Sequence, residues 1–378
     1  MSTSLAHRPA AGRPLPFRVD VALVLTTLVV AGLGVVLVYS ATRSKLAAAG
    51  LNPHYFLTRQ AAYVVVGGIV MIVLAALDYR WLEHASAALY VAMILALLAM
   101  FSGIGSTAQG ATRWIQVGGV QIQPSAFATL VLIVTVATFC ARRPEGLDRG
   151  DLIKVLALAA VPILLVVKQP DLGSGIVMCV VLLVMLVIAG IPNRYLLLLI
   201  ALAATGAFAV VHLKLLKGYQ LTRITSLFQI GKNLQSTGYN VGQSVAAIGS
   251  GGLWGTGLFH GPQTNLAYVP EQQTDFIFSA LGEQLGFVGA AGVLSLLGVL
   301  SWRLLRSAQL ARDAFGRLLA AGCFTLVAFS VFENAGMAMQ IMPVAGIPLP
   351  FLSYGGSATV AFFSAVGIAL SVQLRAQR

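Results

Sequence analysis

Apolar runs of close to twenty residues recur along almost the whole of this 378-residue chain. At about 1.5 Å of rise per residue, a helix of that length matches the hydrocarbon core of a bilayer. With 58% hydrophobic and only 10% charged residues, the chain lacks the polar surface of an ordinary soluble domain. The spacing predicts ten spans: Val19–Ala41, Phe56–Leu77, His84–Ser102, Gln123–Cys140, Leu152–Val167, Gly173–Gly190, Tyr195–Leu213, Phe276–Trp302, Leu318–Ile341 and Phe351–Leu374. Only KQPD at Lys168–Asp171 separates the fifth from the sixth, and Pro170 cannot continue a helix there. The expected fold is an all-α polytopic membrane protein, one domain over residues 1–378, with a tail at 1–18 and a large loop at 214–274.

The first apolar run follows Arg8, Arg13 and Arg18 and has no convincing small-residue cleavage site, so it reads as a retained helix. Cys140, Cys179 and Cys323 fall in or beside apolar spans and resemble neither a disulfide framework nor a metal site. The net charge of +12 sits in short loops between spans, which speaks for membrane topology and against nucleic-acid binding. With the N-terminus inside, 15 Lys and Arg fall on the cytoplasmic side and 9 on the other, four of the nine in the long loop. Both termini are therefore expected in the cytoplasm.

That orientation sorts the acids. Asp20, Asp78, Glu83, Glu145, Asp148, Asp151 and Asp313 fall at the cytoplasmic face, mostly beside basic residues. Asp171, Glu271, Asp275, Glu283 and Glu333 fall at the outer face or in the outer half of a span. Three of these share PEQQTDFIFSALGEQLGFVG (Pro270–Gly289), where Glu271 and Asp275 stand at the mouth of a long apolar helix. Glu283 lies eight residues beyond Asp275, roughly 12 Å deeper at about 1.5 Å per residue. A helix N-terminus favours acids and accounts for Glu271 and in part for Asp275, but not for Glu283. An ionised carboxylate in hydrocarbon costs several kcal/mol unless a partner offsets it, so the cluster points to a functional interior.

Three outer segments break the helical pattern. Within the long loop, Tyr219–Ile230 spaces its apolar residues as an interfacial amphipathic helix does. The glycine-rich stretch Gly238–Gln263 is expected to be non-helical backbone lining a water-filled cavity. Gly105–Phe127 carries Arg113 and Trp114 at the interface, then a short hairpin or bent turn. Met342–Thr359 offers hydroxyls on Ser353, Tyr354 and Ser357 and exposed N–H groups at Gly355 and Gly356, a combination able to hold phosphate.

No Walker loop, zinc spacing or Ser–His–Asp set is present. A proton-driven transporter would use intramembrane acids such as Glu283 and Glu333, yet no internal repeat supports one. Transfer from an activated lipid-linked donor needs one base for the acceptor hydroxyl and cations or donors for the departing diphosphate. This chain has those parts.

The combination of QPDLGSG, GYNVGQSVAAIGSGGLWGTG, PEQQTDFIF with LGEQLGFVG, and GIPLPFLSYGGS resembles the SEDS family of shape, elongation, division and sporulation proteins. The likeness runs from the second span to the end, and GIPLPF before SYGGS is more similar to the elongation branch, RodA, than to the division branch, FtsW. The resemblance implies a ten-helix peptidoglycan glycosyltransferase that polymerises lipid II outside the membrane and releases undecaprenyl diphosphate. It also implies a partner, a class B penicillin-binding protein that crosslinks the strands. The family's essential Asp falls on Asp275, with Thr274 beside it; its Arg-Trp pair falls on Arg113 and Trp114. Its Gln-Pro-Asp motif falls on Gln169, Pro170 and Asp171, and its Gln-Ser pair on Gln243 and Ser244.

Three positions depart from the family pattern. The usual His before Thr-Asp is Gln273, and the usual Glu-Glu is Glu283–Gln284. The usual Gln-Pro-Ser-Glu-x-x-Lys reads QPSAFAT, with Ala126 and Thr129 in place of an acid and a base. Loss of one partner alone would strand a charge at a cost of about 3–5 kcal/mol if buried, so their joint absence is the physically favoured change. Asp275 is the expected general base. Arg113, Lys168, Arg223 or a divalent cation (Mg or Mn) would hold the diphosphate, and Glu271 and Glu283 would stand at the entrance and in support. Two other classes, a lipid II flippase and a scaffold that recruits the transpeptidase, remain distinguishable by assay.

Overall fold

Ten long apolar stretches in one chain give helices that must bury polar side chains against each other while facing lipid elsewhere. The computed structural model describes residues 19–102, 106–108, 111–117, 120–143, 146–212 and 237–376. In order, its elements are α1 (Val21–Ala48), α2 (Tyr55–Ala76), α3 (Arg80–Ala99), β1 (Ser106–Ala108), β2 (Ala111–Val117), β3 (Val120–Ile122), α4 (Pro124–Ala141) and α5 (Arg149–Lys168). There follow α6 (Leu172–Ile188), α7 (Asn193–His212), α8 (Thr237–Ser250), α9 (Pro262–Asn265), α10 (Ile277–Leu310), α11 (Ala314–Ala338) and α12 (Gly356–Ala376). Each of the ten predicted spans is a helix. Among the described residues, eight helices are long and apolar enough to cross a membrane, and α6 and the Asn193–Ala203 part of α7 are shorter apolar helices. The fold is that of a helical polytopic membrane protein.

Burial sorts the helices into layers. Of the apolar window of α12, 83% lies inside the protein, and 67% of those of α4 and α11, against 17% for α2 and 22% for α3. The first three form the centre, and the last two belong to the lipid-facing ring. Acidic side chains set several helix starts: Asp20 accepts the Leu23 N–H at 3.0 Å, and Asp148, Asp171 and Asp313 cap α5, α6 and α11 in the same way. At the end where α1, α3, α5 and α11 begin, ion pairs stitch the bundle. Arg143 meets Asp151 at 2.7 Å, Arg80 meets Asp313 at 3.2 Å, and Arg303 grips the buried Asp20 at 2.5 Å.

Three findings differ from the sequence expectation. First, Gly105–Phe127 is more than a hairpin: β1, β2 and β3 form an antiparallel sheet in that order, pairing Ser106 with Trp114 and Ile115 with Ile122. Second, the glycine-rich stretch is not irregular throughout. Thr237–Ser250 is helical, because Val241 and Ala247 have an apolar face to cover with Val269, Phe276, Met337 and Val344. Third, the span predicted as Phe276–Trp302 is broken at Gly286, whose φ of 66° and ψ of −168° belong to glycine alone.

The break and the loop after α8 complete each other. Phe287 and Val288 donate their N–H groups to the carbonyls of Gly252 and Leu253 at 2.9 and 3.1 Å. In return, Thr256 and Gly257 donate to the carbonyls of Glu283 and Gln284 at 3.0 and 3.1 Å. Irregular backbone within a membrane protein survives where protein re-satisfies its polar groups, as here. A Cβ on Gly286 would stand 2.3 Å from the Gly255 nitrogen, so the approach requires glycine. The expected amphipathic helix at Tyr219–Ile230 lies outside the described residues.

Candidate active site

Asp275 sits at the end of a tight turn that precedes α10. Glu271 takes the left-handed conformation at φ 51°, and its carbonyl accepts the N–H groups of Thr274 and Asp275 at 3.2 and 3.1 Å. Three supports fix the turn. Tyr354 donates its N–H to the Gln273 carbonyl at 2.8 Å. The Asn334 side chain donates to the Asp275 carbonyl, also at 2.8 Å. From below, Gln272 Nε2 donates to Thr264 Oγ1 at 2.8 Å, and that hydroxyl donates to Glu283 at 2.5 Å.

Asp275, Glu271 and Thr274 face a cavity of about 340 Å³ between α4, α6, α11 and the loop into α12. Its lining mixes polar side chains (Tyr63, Gln121, Gln123, Ser125, Ser174 and Ser357) with apolar ones (Val177, Leu326, Ile347, Pro348, Ala361 and Phe362). Trp114, Tyr354, Gly355 and Gly356 also line it. Ala126 and Thr129, which replace the family's usual acid and base, lie on the same lining, so the missing pair leaves space inside the cavity. Among the described lining residues there is no Lys or Arg. Burial pushes the Tyr354 phenol up to about 12, with Tyr63 adding to the effect and Arg59 opposing it, so it remains a hydrogen-bond donor at neutral pH. Arg59 lies with its guanidinium 4.5 Å from the Tyr55 ring centre.

The remaining expected site residues lie elsewhere. Asp171 is buried and accepts from three lining residues, Ser125 at 2.7 Å, Ser174 at 2.9 Å and Gln123 at 3.2 Å, so it orders that part of the lining. Glu283 is fully enclosed and accepts the N–H groups of Gln263 and Thr264 at 2.7 and 2.8 Å; it holds the loop under Asp275 and does not meet the cavity. Ser353 is likewise a loop staple, its Oγ accepting the Leu349 N–H at 2.9 Å. Ser244 is buried and donates to the Ala338 carbonyl at 2.8 Å, and neither it nor the half-buried Gln243 lines the cavity. Lys168 is exposed on the last turn of α5, away from the lining. Arg113 precedes Trp114 in β2, and Arg223 lies outside the described residues.

Sequence reasoning did not single out Tyr63, Ser330 or Arg59 as site residues. Tyr63 and Ser330 are lone polar groups in apolar runs and carry no motif. Ser330 could have been found from spacing, since Leu326, Ser330 and Glu333 share one face of α11. Glu333 is 1% exposed, and the Ala345 backbone N–H and the Asp275 carboxyl are the groups it interacts with. A larger cavity, about 740 Å³, opens at the other end of α4 among Glu83, His84, Arg142, Arg143 and Asp151. Its arginines already face acids, Arg143 to Asp151 at 2.7 Å and Arg142 to Glu83 at 3.8 Å, and Asp275 is not part of it.

A family model described as "Cell cycle protein", covering FtsW, RodA and SpoVE, matches residues 21–378. The chain belongs to this family. A member from Geobacter metallireducens named probable peptidoglycan glycosyltransferase FtsW is 36% identical over 361 residues, 95% of either chain. Peptidoglycan glycosyltransferase MrdB of Escherichia coli K12 is 37% identical over 317 residues, 83% of this chain and 84% of that one. Among solved structures, a chain described under the structural coordination of polymerization and crosslinking by a peptidoglycan synthase complex superposes with a TM-score of 0.80. It is 30% identical and covers 94% of this chain and 98% of its own length. The FtsW/RodA/SpoVE family thus supplies relatives named glycosyltransferases along essentially the whole described fold.

Proposed function

We propose that this protein polymerises lipid II into glycan strands at the outer face of the cytoplasmic membrane, with Asp275 as general base. The observation that carries the proposal is a cavity in which Asp275 stands among both polar and apolar lining residues. Such a cavity suits an amphiphile with a sugar-diphosphate head and a polyprenyl tail. Asp275 takes the proton of an acceptor hydroxyl as that oxygen bonds to the anomeric carbon of the donor. The bond from that carbon to the diphosphate breaks on the opposite side, inverting the centre, and undecaprenyl diphosphate leaves with the electron pair. No acid is needed for so good a leaving group.

The Tyr354 and Gly355 N–H groups are taken by the Gln273 carbonyl and Gln60 Oε1, so phosphate recognition falls to the Tyr354 hydroxyl and the Gly356 N–H, to Arg113 on β2, and to Arg59, the cation beside Tyr354. Among the described residues no three acidic, His or Cys side chains stand together as a metal site. A divalent cation would thus take Asp275 or Glu271 plus diphosphate and water oxygens, and would supply charge neutralisation. The charge count across the loops supports an outer cavity with both termini inside. The GIPLPFLSYGGS wording supports a role in elongation and rod shape. The solved synthase complex, described by polymerization and crosslinking together, supports a class B penicillin-binding protein as partner.

The test is purified protein with labelled lipid II. The native chain should form glycan polymer and Asp275→Ala should form none; undiminished polymer from the variant rejects the assignment. Lipid movement between leaflets without polymer, from the native chain, would instead favour a flippase.

A further inference from the structure

The Asn334 side chain links the turn that carries Asp275 to the Gly346–Pro348 stretch of the cavity lining. Asn334 is fully buried on α11, and its Nδ2 donates to two backbone carbonyls, Asp275 and Ile347, each at 2.8 Å. A primary amide nitrogen presents two donors, and two carbonyl acceptors fix which end of the amide faces them. Its own Oδ1 has no hydrogen-bond partner among the described residues, so the side chain is held there by its donors alone. One bond ends on the residue that bears the carboxylate. The other ends on the Gly346–Pro348 stretch that lines the same cavity.

The N-terminal turn of α10 closes without Asp275, because Ser279 donates its N–H to the Phe276 carbonyl at 3.0 Å. Tyr354 and Gln273 make a second tie at 2.8 Å, but that one joins the turn to the far end of the loop. The Asn334 carboxamide is thus a direct tie between the residue that bears the base and Ile347.

We infer that Asn334 is a positioning residue for the transfer reaction, setting the placement of Asp275 relative to the adjoining Gly346–Pro348 stretch of the lining. This inference rests on Asp275 as the base. A misplacement of about 1 Å can cost around 10²-fold in rate while the bulk of the substrate contacts persists.

The test compares Asn334→Leu and the isosteric Asn334→Asp with the native full chain, using labelled lipid II and normalising to folded protein. Either variant should lower kcat by about 30- to 100-fold and change KM by less than about threefold. Amide exchange should rise over residues 271–276 and 346–348 and stay unchanged in the central helices. A kcat within about threefold of native in both variants overturns the inference. So does exchange that rises throughout the bundle in both, since that is a general structural role. Asp275→Asn, assayed alongside, separates the two failures: if it retains full activity, the reading of the base has failed, whatever Asn334 does.

Discussion

Replacing Glu283 by alanine should loosen the segment that delivers Asp275 without touching the cavity. The carboxyl is 0% exposed and accepts two backbone N–H groups at 2.7 and 2.8 Å and the Thr264 hydroxyl at 2.5 Å. That hydroxyl accepts from Gln272, three residues before Asp275, at 2.8 Å. Each buried donor left unsatisfied costs about 1–3 kcal/mol, so two orphaned N–H groups imply about 2–6 kcal/mol. Because α9 is a short segment that can open to water, the lower half of that range is expected, about 2–4 kcal/mol. Glu283→Gln keeps one acceptor but turns an NH₂ toward a donor, so stability should rank native, Gln, Ala. Thermal unfolding in detergent gives the ranking, and amide exchange over residues 262–276 locates the loss. An alanine variant as stable as native, with unchanged exchange over those residues, would refute the reasoning.

Gly286→Ala should cost at least about 2 kcal/mol, since the φ/ψ region alone costs about 1–3 kcal/mol and the Gly255 nitrogen must also move. A variant with native thermal stability would show that the α10 break is not required. Arg59→Ala should weaken donor binding and raise KM, with a smaller effect on kcat; an unchanged KM would remove Arg59 from phosphate recognition. Burial acts to raise the Asp313 carboxyl, but the Tyr79 hydroxyl, the Gly316 N–H and Arg80 outweigh it and hold the group below its ordinary value. Its folded pKa is therefore depressed, and its stabilisation is present above the unfolded carboxyl pKa of about 3.9 and fades as pH falls through the lower folded value. Asp313→Asn should thus lower Tm at neutral pH, and the gap from native should close below about pH 4. A gap of constant size across that range would contradict it.

Much of this was legible in the sequence, for identifiable reasons. The spans are continuous apolar runs, and both Pro170 and the charged loops mark where they stop. Asp275, Thr274, Trp114 and the Tyr354–Gly356 turn stand in polar or glycine-rich motifs that interrupt those runs, and the cavity gathers them. The α10 break was not legible, because LGFVG is apolar throughout and what permits the break is a set of carbonyls some thirty residues earlier in the chain. The α8 helix was hidden by glycines whose low helix propensity is overridden by the packing of Val241 and Ala247. Glu283 misled because its partners are backbone N–H groups, which leave no mark in a sequence. Asp171 misled similarly, since its hydroxyl partner Ser125 is 46 residues away.

The central claim is that Asp275 accepts a proton during transfer, and does not merely help to bind the donor. Asp275→Asn keeps the shape and removes the base. Donor binding and single-turnover transfer, measured separately on the purified full chain with labelled lipid II, divide the two roles. The account predicts binding within a few-fold of native and transfer slowed by about 10²- to 10⁴-fold, the range of a lost general base. Transfer within about threefold of native, or a loss residing wholly in binding, would contradict it.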